Sequence, residues 1–257
     1  MRFKIKQFVP GYSKMWIMIN QTFQGCNMTT HQVLITGANR GLGLEFTKQY
    51  AANGWNVQAC CRHPQSAMAL QALAAAHGNI KVATLDVADF AQIDALALKL
   101  KDDSIDVLIN NAGVYPASSF GDTNYEEWAE GFKINSMAPL KMAEAFVQHI
   151  TRSHLKKIAT LTSKMGSIED NTGGESYSYR SSKTAVNMVM KSLSIDLKPY
   201  GISVITLHPG WVQTDMGGPN GLINVQTSVT GIRKQIECLD LTNTGQFVAY
   251  DGKAIGW

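Results

Sequence analysis

The chain has 257 residues, of which 45% are hydrophobic and 17% charged, with 22 glycines and 7 prolines. This composition excludes collagen-like, coiled-coil and disordered proteins, and a chain of this length can bury a full core. The four cysteines include the adjacent pair Cys60 and Cys61 but no C-x-x-C motif, which argues against a disulfide scaffold or a metal knuckle. This cysteine usage fits a reducing compartment, and we expect a cytoplasmic protein.

The formal net charge of +3 is concentrated in the first 28 residues. That segment carries four basic residues and no acidic one, so residues 29–257 have a net charge of −1. The basic residues are Arg2, Lys4, Lys6 and Lys14. The main part of the chain therefore gives no reason to expect nucleic-acid binding. No apolar run approaches the roughly 20 residues of a membrane span, so we expect no membrane association.

Residues 1–28 leave three interpretations open. Met28 stands where a natural start would be expected before the first predicted strand, which suggests a misassigned start. The segment could instead be a disordered or loosely docked extension, or, with the least support, a targeting segment. We therefore predict an N-terminal extension over residues 1–28 and a single domain over residues 29–257.

From residue 31 onward, short β-branched segments alternate with longer segments of helical periodicity. The predicted strands are Val33–Thr36, Val57–Cys61, Ile80–Leu85, Ile105–Ile109, Lys157–Thr162, Ile202–Leu207 and Phe247–Tyr250. The predicted helices are Leu42–Ala52, Gln65–His77, Phe90–Lys101, Tyr125–Arg152 and Ser178–Lys198. Continuously apolar strands are typical of a parallel sheet that is buried on both faces. The pattern predicts an α/β, doubly wound (Rossmann) and mostly parallel seven-stranded sheet with helices on both faces, rather than an eight-fold barrel.

A glycine-rich turn joins the first predicted strand to the first predicted helix. Its spacing is G-x-x-x-G-x-G, with Gly37 for a tight turn, Gly41 for close approach of a ligand and Gly43 for packing of helix against strand. Backbone N–H groups at such a helix start favour a pyrophosphate. The predicted dinucleotide contacts in this turn also include Asn39, Arg40 and Leu42.

The charges near this turn indicate which dinucleotide binds. An NAD site places an acid at the end of the second strand to bind the ribose 2′-hydroxyl, whereas arginine accommodates a 2′-phosphate. Here Arg62 ends the second predicted strand, no acid is present at that junction, and Arg40 lies within the turn. Arginine pairs well with phosphate. The two cations therefore favour NADP(H).

A tyrosine and a lysine stand four residues apart at the start of a predicted helix. Tyr179 and Lys183 would project from one face, where an ammonium would lower the pKa of the phenol and make it a usable acid or base. Ser163 ends the fifth predicted strand and would lie on the same edge of the sheet as the glycine turn. Lys164 and Ser167 are weaker alternatives, because they lie past the strand end. No histidine spacing indicates a metal site, and we expect none.

Further polar residues follow the fourth predicted strand. The sequence Asn110-Asn-Ala-Gly113 lies on the same edge, where a turn can pack against the cofactor. Asn135 falls within the predicted helix Tyr125–Arg152, and its amide fits a structural role as well as a functional one.

In combination and in order, these motifs resemble the classical short-chain dehydrogenase/reductases over about residues 31–257. The resemblance extends to Pro209-Gly-Trp-Val-Gln-Thr214 and to a chain end similar to carbonyl-reductase and C-factor-like members, although Gly256 stands where those members often have proline. It implies a triad of Ser163, Tyr179 and Lys183, completed by Asn135 through a water-linked proton relay. The remaining implied cofactor contacts are Asp86, Val87, Asn111, Ala112, Gly113, Pro209, Gly210, Val212 and Thr214.

The activity implied by the resemblance is hydride transfer between a nicotinamide and a small carbonyl or alcohol substrate. NADPH favours the reductive direction. Substrate choice is expected in the polar loop Gly166–Ser178 and in the stretch Met216–Asp240, part of which would form a small lid. The alternative is a non-catalytic NADP-binding regulatory or signalling protein on the same fold. The resemblance also allows a homodimer or homotetramer through the two long predicted helices, Tyr125–Arg152 and Ser178–Lys198, or a monomer.

Overall fold

The computed structural model describes residues 30–257, and the predicted extension over residues 1–28 lies outside the described residues. The strands are β1 (Gln32–Thr36), β2 (Asn56–Cys61), β3 (Ile80–Thr84), β4 (Val107–Asn110), β5 (Ser118–Ser119), β6 (Asp122–Thr123), β7 (Lys157–Leu161), β8 (Ser203–His208) and β9 (Gln246–Ala249). The helices are α1 (Gly41–Ala52), α2 (Met68–Ala76), α3 (Phe90–Lys99), α4 (Tyr125–Phe132), α5 (Ala138–Thr151), α6 (Tyr177–Asp196) and α7 (Val225–Glu237).

Seven strands form one parallel sheet in the order β3-β2-β1-β4-β7-β8-β9. The strand order reverses between β1 and β4, where their carboxyl ends open a crevice of the kind that binds ligands in such sheets. All seven predicted strands are present, and the predicted doubly wound sheet is confirmed. The glycine turn follows β1 and Ser163 follows β7, so both lie at the carboxyl edge of the sheet.

Hydrophobic layers cover both faces of the sheet. In β1, Val33 belongs to the layer that contains Phe46 of α1, while Leu34 belongs to the opposite layer with Phe146 of α5. Both phenylalanines are completely buried. Because successive side chains of a strand point to opposite faces, an uninterrupted apolar strand supplies both layers.

Three segments differ from the predictions. The single helix predicted over Tyr125–Arg152 is two helices joined by a π-helical turn, Lys133–Met137. The two-residue strands β5 and β6 form a small antiparallel hairpin that the sequence did not indicate. Helix α7, expected in a lid, instead buries Val229 and Ile232 in the core layer shared with α1. An amphipathic pattern alone does not distinguish a lid from a helix that packs on a sheet.

None of the helices described in residues 30–257 is long and apolar enough to cross a membrane. In the same part of the chain, Cys60, Cys61 and Cys238 are free thiols.

Candidate active site

The glycine turn after β1 brings α1 close to the strand. Gly37 and Gly41 have positive φ values of 67° and 53°, which glycine adopts at little cost. A Cβ on Gly43 would overlap the carbonyl oxygen of Gly37, so only glycine allows α1 to start here. A Cβ on Gly41 would lie 3.5 Å from the methyl group of Thr214, on the opposite side of the crevice. Gly43 therefore allows α1 to pack closely on the end of β1, and Gly41 adds no side chain to the cleft.

This crevice is a cleft of about 620 Å³. Most of the predicted cofactor residues line it, namely Gly37, Asn39, Arg40, Gly41, Leu42, Gly43, Arg62, Asp86, Val87, Asn111, Ala112, Gly113, Tyr179, Lys183, Pro209 and Thr214. Two do not. Val212 is buried and forms an isolated bridge with Ile223, and a Cβ on Gly210 would lie 2.7 Å from the Cδ1 of Ile223, so both residues pack within the loop that follows β8. Their contact with the cofactor stays a prediction.

The cleft is also lined by residues that the sequence motifs did not indicate. They are Cys61, His63, Ser66, Ala67, Leu85, Val114, Ile134, Leu161, Thr162, Gln213, Asp215 and Met216. Nine of these twelve residues stand at or directly beside a predicted strand end or a predicted site residue, and Ser66, Ala67 and Met216 do not. Adjacency to the strand ends was therefore the available signal.

The Asn110–Gly113 segment is fixed to the glycine turn by hydrogen bonds. The amide of Asn111 donates to the carbonyl oxygens of Thr36 (2.8 Å) and Gly37 (3.1 Å). The hydroxyl oxygen of Thr36 accepts from the backbone N–H groups of Asn111 and Ala112, both at 3.0 Å. The side chain of Asn111 therefore shapes the two turns rather than reaching into the cleft for a ligand.

Two arginines line the end of the cleft next to β2. Arg62 is exposed and forms no salt bridge with any of residues 30–257. Arg40, by contrast, pairs with Asp215 through an Nη1–Oδ2 contact of 2.7 Å. The acids lining the cleft are Asp86 and Asp215, and neither stands at the end of β2. Of these two arginines, Arg62 is therefore the one that has no salt-bridge partner among residues 30–257. Sequence spacing alone could not predict that Arg40 pairs with Asp215.

Tyr179 and Lys183 line the cleft, whereas Ser163 and Asn135, the other predicted catalytic residues, lie next to them and are not part of its lining. Ser163 precedes a short 3-10 helix, where its Oγ accepts a hydrogen bond from the Met165 N–H at 3.1 Å, and its hydroxyl is close enough to the Tyr179 phenol to lower the pKa of that group. The Lys183 Nζ lies 5.8 Å from the centroid of the Tyr179 ring. It donates to the carbonyl oxygen of Leu161 at 3.1 Å, at the end of β7. The side chains of Ser163, Tyr179 and Lys183 are all buried.

Burial dominates the ionisation of this group. It raises the pKa of Tyr179 to about 12, while the hydrogen bond with Ser163 acts in the opposite direction. It also lowers the pKa of Lys183 to about 8. The expectation that the ammonium leaves the tyrosine with a lowered pKa is therefore wrong for this arrangement, because loss of water disfavours the phenolate more strongly. At neutral pH, Tyr179 holds its proton and Lys183 is charged.

Asn135 lies in the π-helical turn, and such turns are frequent at functional sites. Its Oδ1 accepts from the Val114 N–H at 3.0 Å, and its Nδ2 donates to the Val114 carbonyl at 2.9 Å and to the Ser182 hydroxyl at 3.0 Å. A Cβ on Gly113 would meet both the Asn135 Oδ1, at 3.1 Å, and the Lys183 Nζ, at 3.5 Å. Asn135 and Lys183 therefore lie close together on either side of Gly113, where a larger residue would crowd both side chains.

No group of three or more histidine, cysteine, aspartate or glutamate side chains in residues 30–257 is arranged to hold a metal ion.

A doubly wound sheet with a serine, a tyrosine and a lysine at the mouth of its crevice defines a class of oxidoreductases. The family model described as short chain dehydrogenase matches residues 31–221. The chain belongs to this family of oxidoreductases.

The chain is also similar in sequence to a curated protein and in fold to solved structures. The C-signal of Myxococcus xanthus is 42% identical over 164 residues, which cover 63% of this chain and 99% of that protein. The structure of carbonyl reductase Sniffer of D. melanogaster has a TM-score of 0.85 and 35% identity, over 89% of this chain and 100% of that one. The NADPH-bound carbonyl reductase from chicken fatty liver has a TM-score of 0.84 and 35% identity, over 89% of this chain and 99% of that one.

Proposed function

We propose that the protein is an NADPH-dependent reductase of small carbonyl compounds. The observation that carries this proposal is that Tyr179 and Lys183 both line the cleft, with the Lys183 Nζ 5.8 Å from the centroid of the Tyr179 ring and all three side chains of Ser163, Tyr179 and Lys183 buried. A protein that only binds a dinucleotide has no need of a buried acid paired with a lysine. Both structural relatives described above are carbonyl reductases, which supports the same activity.

The cleft fits NADPH in two respects. The glycine turn lines the cleft at the start of α1, where Gly41 presents no side chain and the free backbone N–H groups of a helix N-terminus can accept a pyrophosphate. Arg62, with no partner among residues 30–257, can pair with a 2′-phosphate, while Asp86 and Val87 line the adjoining part of the cleft. The NADPH bound to the chicken relative supports this assignment. When bound, NADPH supplies the hydride that reduces a carbonyl carbon.

The chain's own residues handle the proton and the oxygen of the substrate. The Ser163 hydroxyl donates a hydrogen bond that orients the carbonyl oxygen. Tyr179 gives its phenolic proton to that oxygen as negative charge develops on it, so the O–H bond of the tyrosine breaks and that of the product alcohol forms. The ammonium of Lys183 stabilises the phenolate that remains. Solvent returns the proton through the region of Asn135.

The test measures NADPH oxidation against a panel of small aldehydes, ketones and diketones, with Tyr179→Phe as the variant. We expect turnover of at least one compound by the wild-type protein. The Phe variant should lose turnover by about 100-fold or more, the contribution typical of a positioned acid, while its NADPH affinity stays nearly unchanged. A Phe variant that retains a near-normal rate would remove Tyr179 from the mechanism.

A second candidate is a non-catalytic NADP-binding signalling protein. The similarity to a protein named C-signal favours it. The two candidates separate in the same experiment, because a signalling protein would bind NADPH and oxidise it with none of the compounds.

We also propose that α6 pairs two copies of the chain. Met188 and Ile195 are spaced seven residues apart on α6 and are 67% and 63% exposed, so two large apolar side chains stand uncovered on one face of this helix. Sedimentation of the wild type against Met188→Glu/Ile195→Glu is the test. A monomer in both cases contradicts the pairing.

A further inference from the structure

Tyr115 lies against the candidate acid, and none of the sequence motifs pointed to it. Its ring centroid is 4.5 Å from that of Tyr179, with 44° between the ring planes. Tyr179 is only 7% exposed, whereas Tyr115 is 43% exposed. The more exposed ring of Tyr115 therefore covers part of the buried Tyr179 ring.

The hydroxyl of Tyr115 is also engaged, at 2.8 Å from the Ser176 Oγ. Ser176 is the residue before α6, where serine normally caps the helix by accepting a backbone N–H bond. Here the Ser176 side chain makes no capping bond. The hydroxyl of Ser118 accepts from the Ser178 N–H instead, at 2.9 Å. The capping residue of the helix that carries Tyr179 thus holds Tyr115.

The backbone at this point is unusual as well. Glu175 and Ser176 both have positive φ values, 53° and 50°. Non-glycine residues in this region cost about 1–3 kcal/mol each and persist where surrounding contacts fix them. The Ser176 N–H donates to the Ser118 carbonyl at 2.9 Å, which is one such contact. The strained pair places the Ser176 hydroxyl within reach of Tyr115.

We infer that Tyr115 is a positioning residue for Tyr179, holding its ring by direct contact and by the bond to Ser176. This inference rests on the proposed role of Tyr179 as the acid. Tyr115 donates no proton to the substrate. Its ring keeps Tyr179 in one orientation and excludes water from it, and its hydroxyl ties the ring to the start of α6.

Three substitutions test this role, with butane-2,3-dione and benzaldehyde as substrates. Tyr115→Phe keeps the ring contact and removes only the bond to Ser176, so kcat should stay within about 3-fold of wild type, a change worth less than 1 kcal/mol. Tyr115→Ala removes the ring, and kcat should fall about 10- to 100-fold with little change in KM, because a misplaced catalytic group loses rate rather than affinity. Tyr115→Leu is the second variant should the alanine protein not fold.

The matched control is Tyr200→Ala. Tyr200 is also an exposed tyrosine, but it precedes β8 at the opposite edge of the sheet. This variant should keep wild-type kcat and KM. If Tyr115→Ala or Tyr115→Leu behaves like the control, or raises KM while keeping kcat, the inference is wrong. Loss of activity in the Tyr115 variants together with full activity in Tyr179→Phe would instead overturn the proposed function.

A readout independent of turnover is the ultraviolet titration of the phenols. The titration of Tyr115→Ala minus that of Tyr115→Ala/Tyr179→Phe isolates Tyr179. Since burial raises the pKa of Tyr179 to about 12, removing the covering ring should move its ionisation toward the ordinary value of 10. An unmoved ionisation would contradict the shielding role even if neither carbonyl compound is reduced.

Discussion

The ammonium of Lys183 lies 5.8 Å from the centre of the Tyr179 ring and donates a hydrogen bond to the carbonyl oxygen of Leu161. The lysine is thus fixed by the end of β7 while its charge remains beside the phenol. It can act on the phenolate as that anion forms, without first lowering the pKa of the resting tyrosine.

The rate should depend on pH through Lys183. Because burial lowers the pKa of Lys183 to about 8, its charge is present below pH 8 and lost as the pH rises above it. We expect kcat for carbonyl reduction to fall above about pH 8 in the wild type. Lys183→Met should show a low rate without this fall. A wild-type profile that stays flat to pH 10 would contradict the role of the charge.

The same lysine should reduce stability at neutral pH. Its pKa is lower in the folded than in the unfolded chain, so between about pH 8 and 10.5 the unfolded chain binds more protons and stability rises with pH. We therefore expect Lys183→Met to be more stable than wild type at pH 7 by about 1–3 kcal/mol, a difference that shrinks toward pH 10.5. Urea unfolding at several pH values measures the free energy of unfolding of both proteins. Equal stability of Lys183→Met and wild type at pH 7 would contradict this prediction.

Gly43→Ala should destabilise the fold and weaken NADPH binding together. The added Cβ would overlap the Gly37 carbonyl oxygen, which is backbone and cannot move without shifting β1 or α1. Overpacking of this kind costs about 1–3 kcal/mol or more. The control is Gly78→Ala, since a Cβ there meets no atom within 4 Å. Thermal unfolding and NADPH titration measure both effects, and indistinguishable variants would refute the packing argument.

Arg62→Gln should weaken NADPH binding more than Arg40→Gln does. A charged hydrogen bond to phosphate is worth about 1.5–3 kcal/mol, so we expect a loss of about 10- to 100-fold for Arg62→Gln. Arg40 is already paired with Asp215, so its loss should cost less.

Two further measurements check this assignment. NADH affinity should change little in Arg62→Gln, because NADH has no 2′-phosphate. Asp215→Asn should strengthen NADPH binding by releasing Arg40. If Arg40→Gln has the larger effect, the 2′-phosphate contact belongs to the glycine turn instead.

The sheet was predictable from the sequence because its strands are continuously apolar. Val33 and Leu34 fill opposite layers, so both must be hydrophobic, and the observed strand limits differ from the predicted ones by at most two residues. The positions of Ser163 and Tyr179 at one edge followed from the parallel topology. This part of the site depends on the order of the elements rather than on individual contacts.

The remaining features depend on contacts between distant residues. The π-helical turn at Asn135 has the same apolar spacing as a regular helix, so no pattern separates them. The pairing of Arg40 with Asp215 joins exposed side chains 175 residues apart. The burial that sets the pKa values of Tyr179 and Lys183 is a property of the packed site. The spacing along α6 correctly predicted that Tyr179 and Lys183 lie close together. It did not predict that burial raises the pKa of Tyr179, because burial depends on the packed structure.

The cap that Ser118 provides to α6 has a consequence for how the chain folds. The first turn of this helix is completed by a hydroxyl 60 residues earlier, because its own serine is committed to Tyr115. A peptide of residues 177–196 alone would therefore fray at the end that carries Tyr179. The start of α6, with Tyr179 on its first turn, is therefore complete only when the β5–β6 hairpin is docked against it.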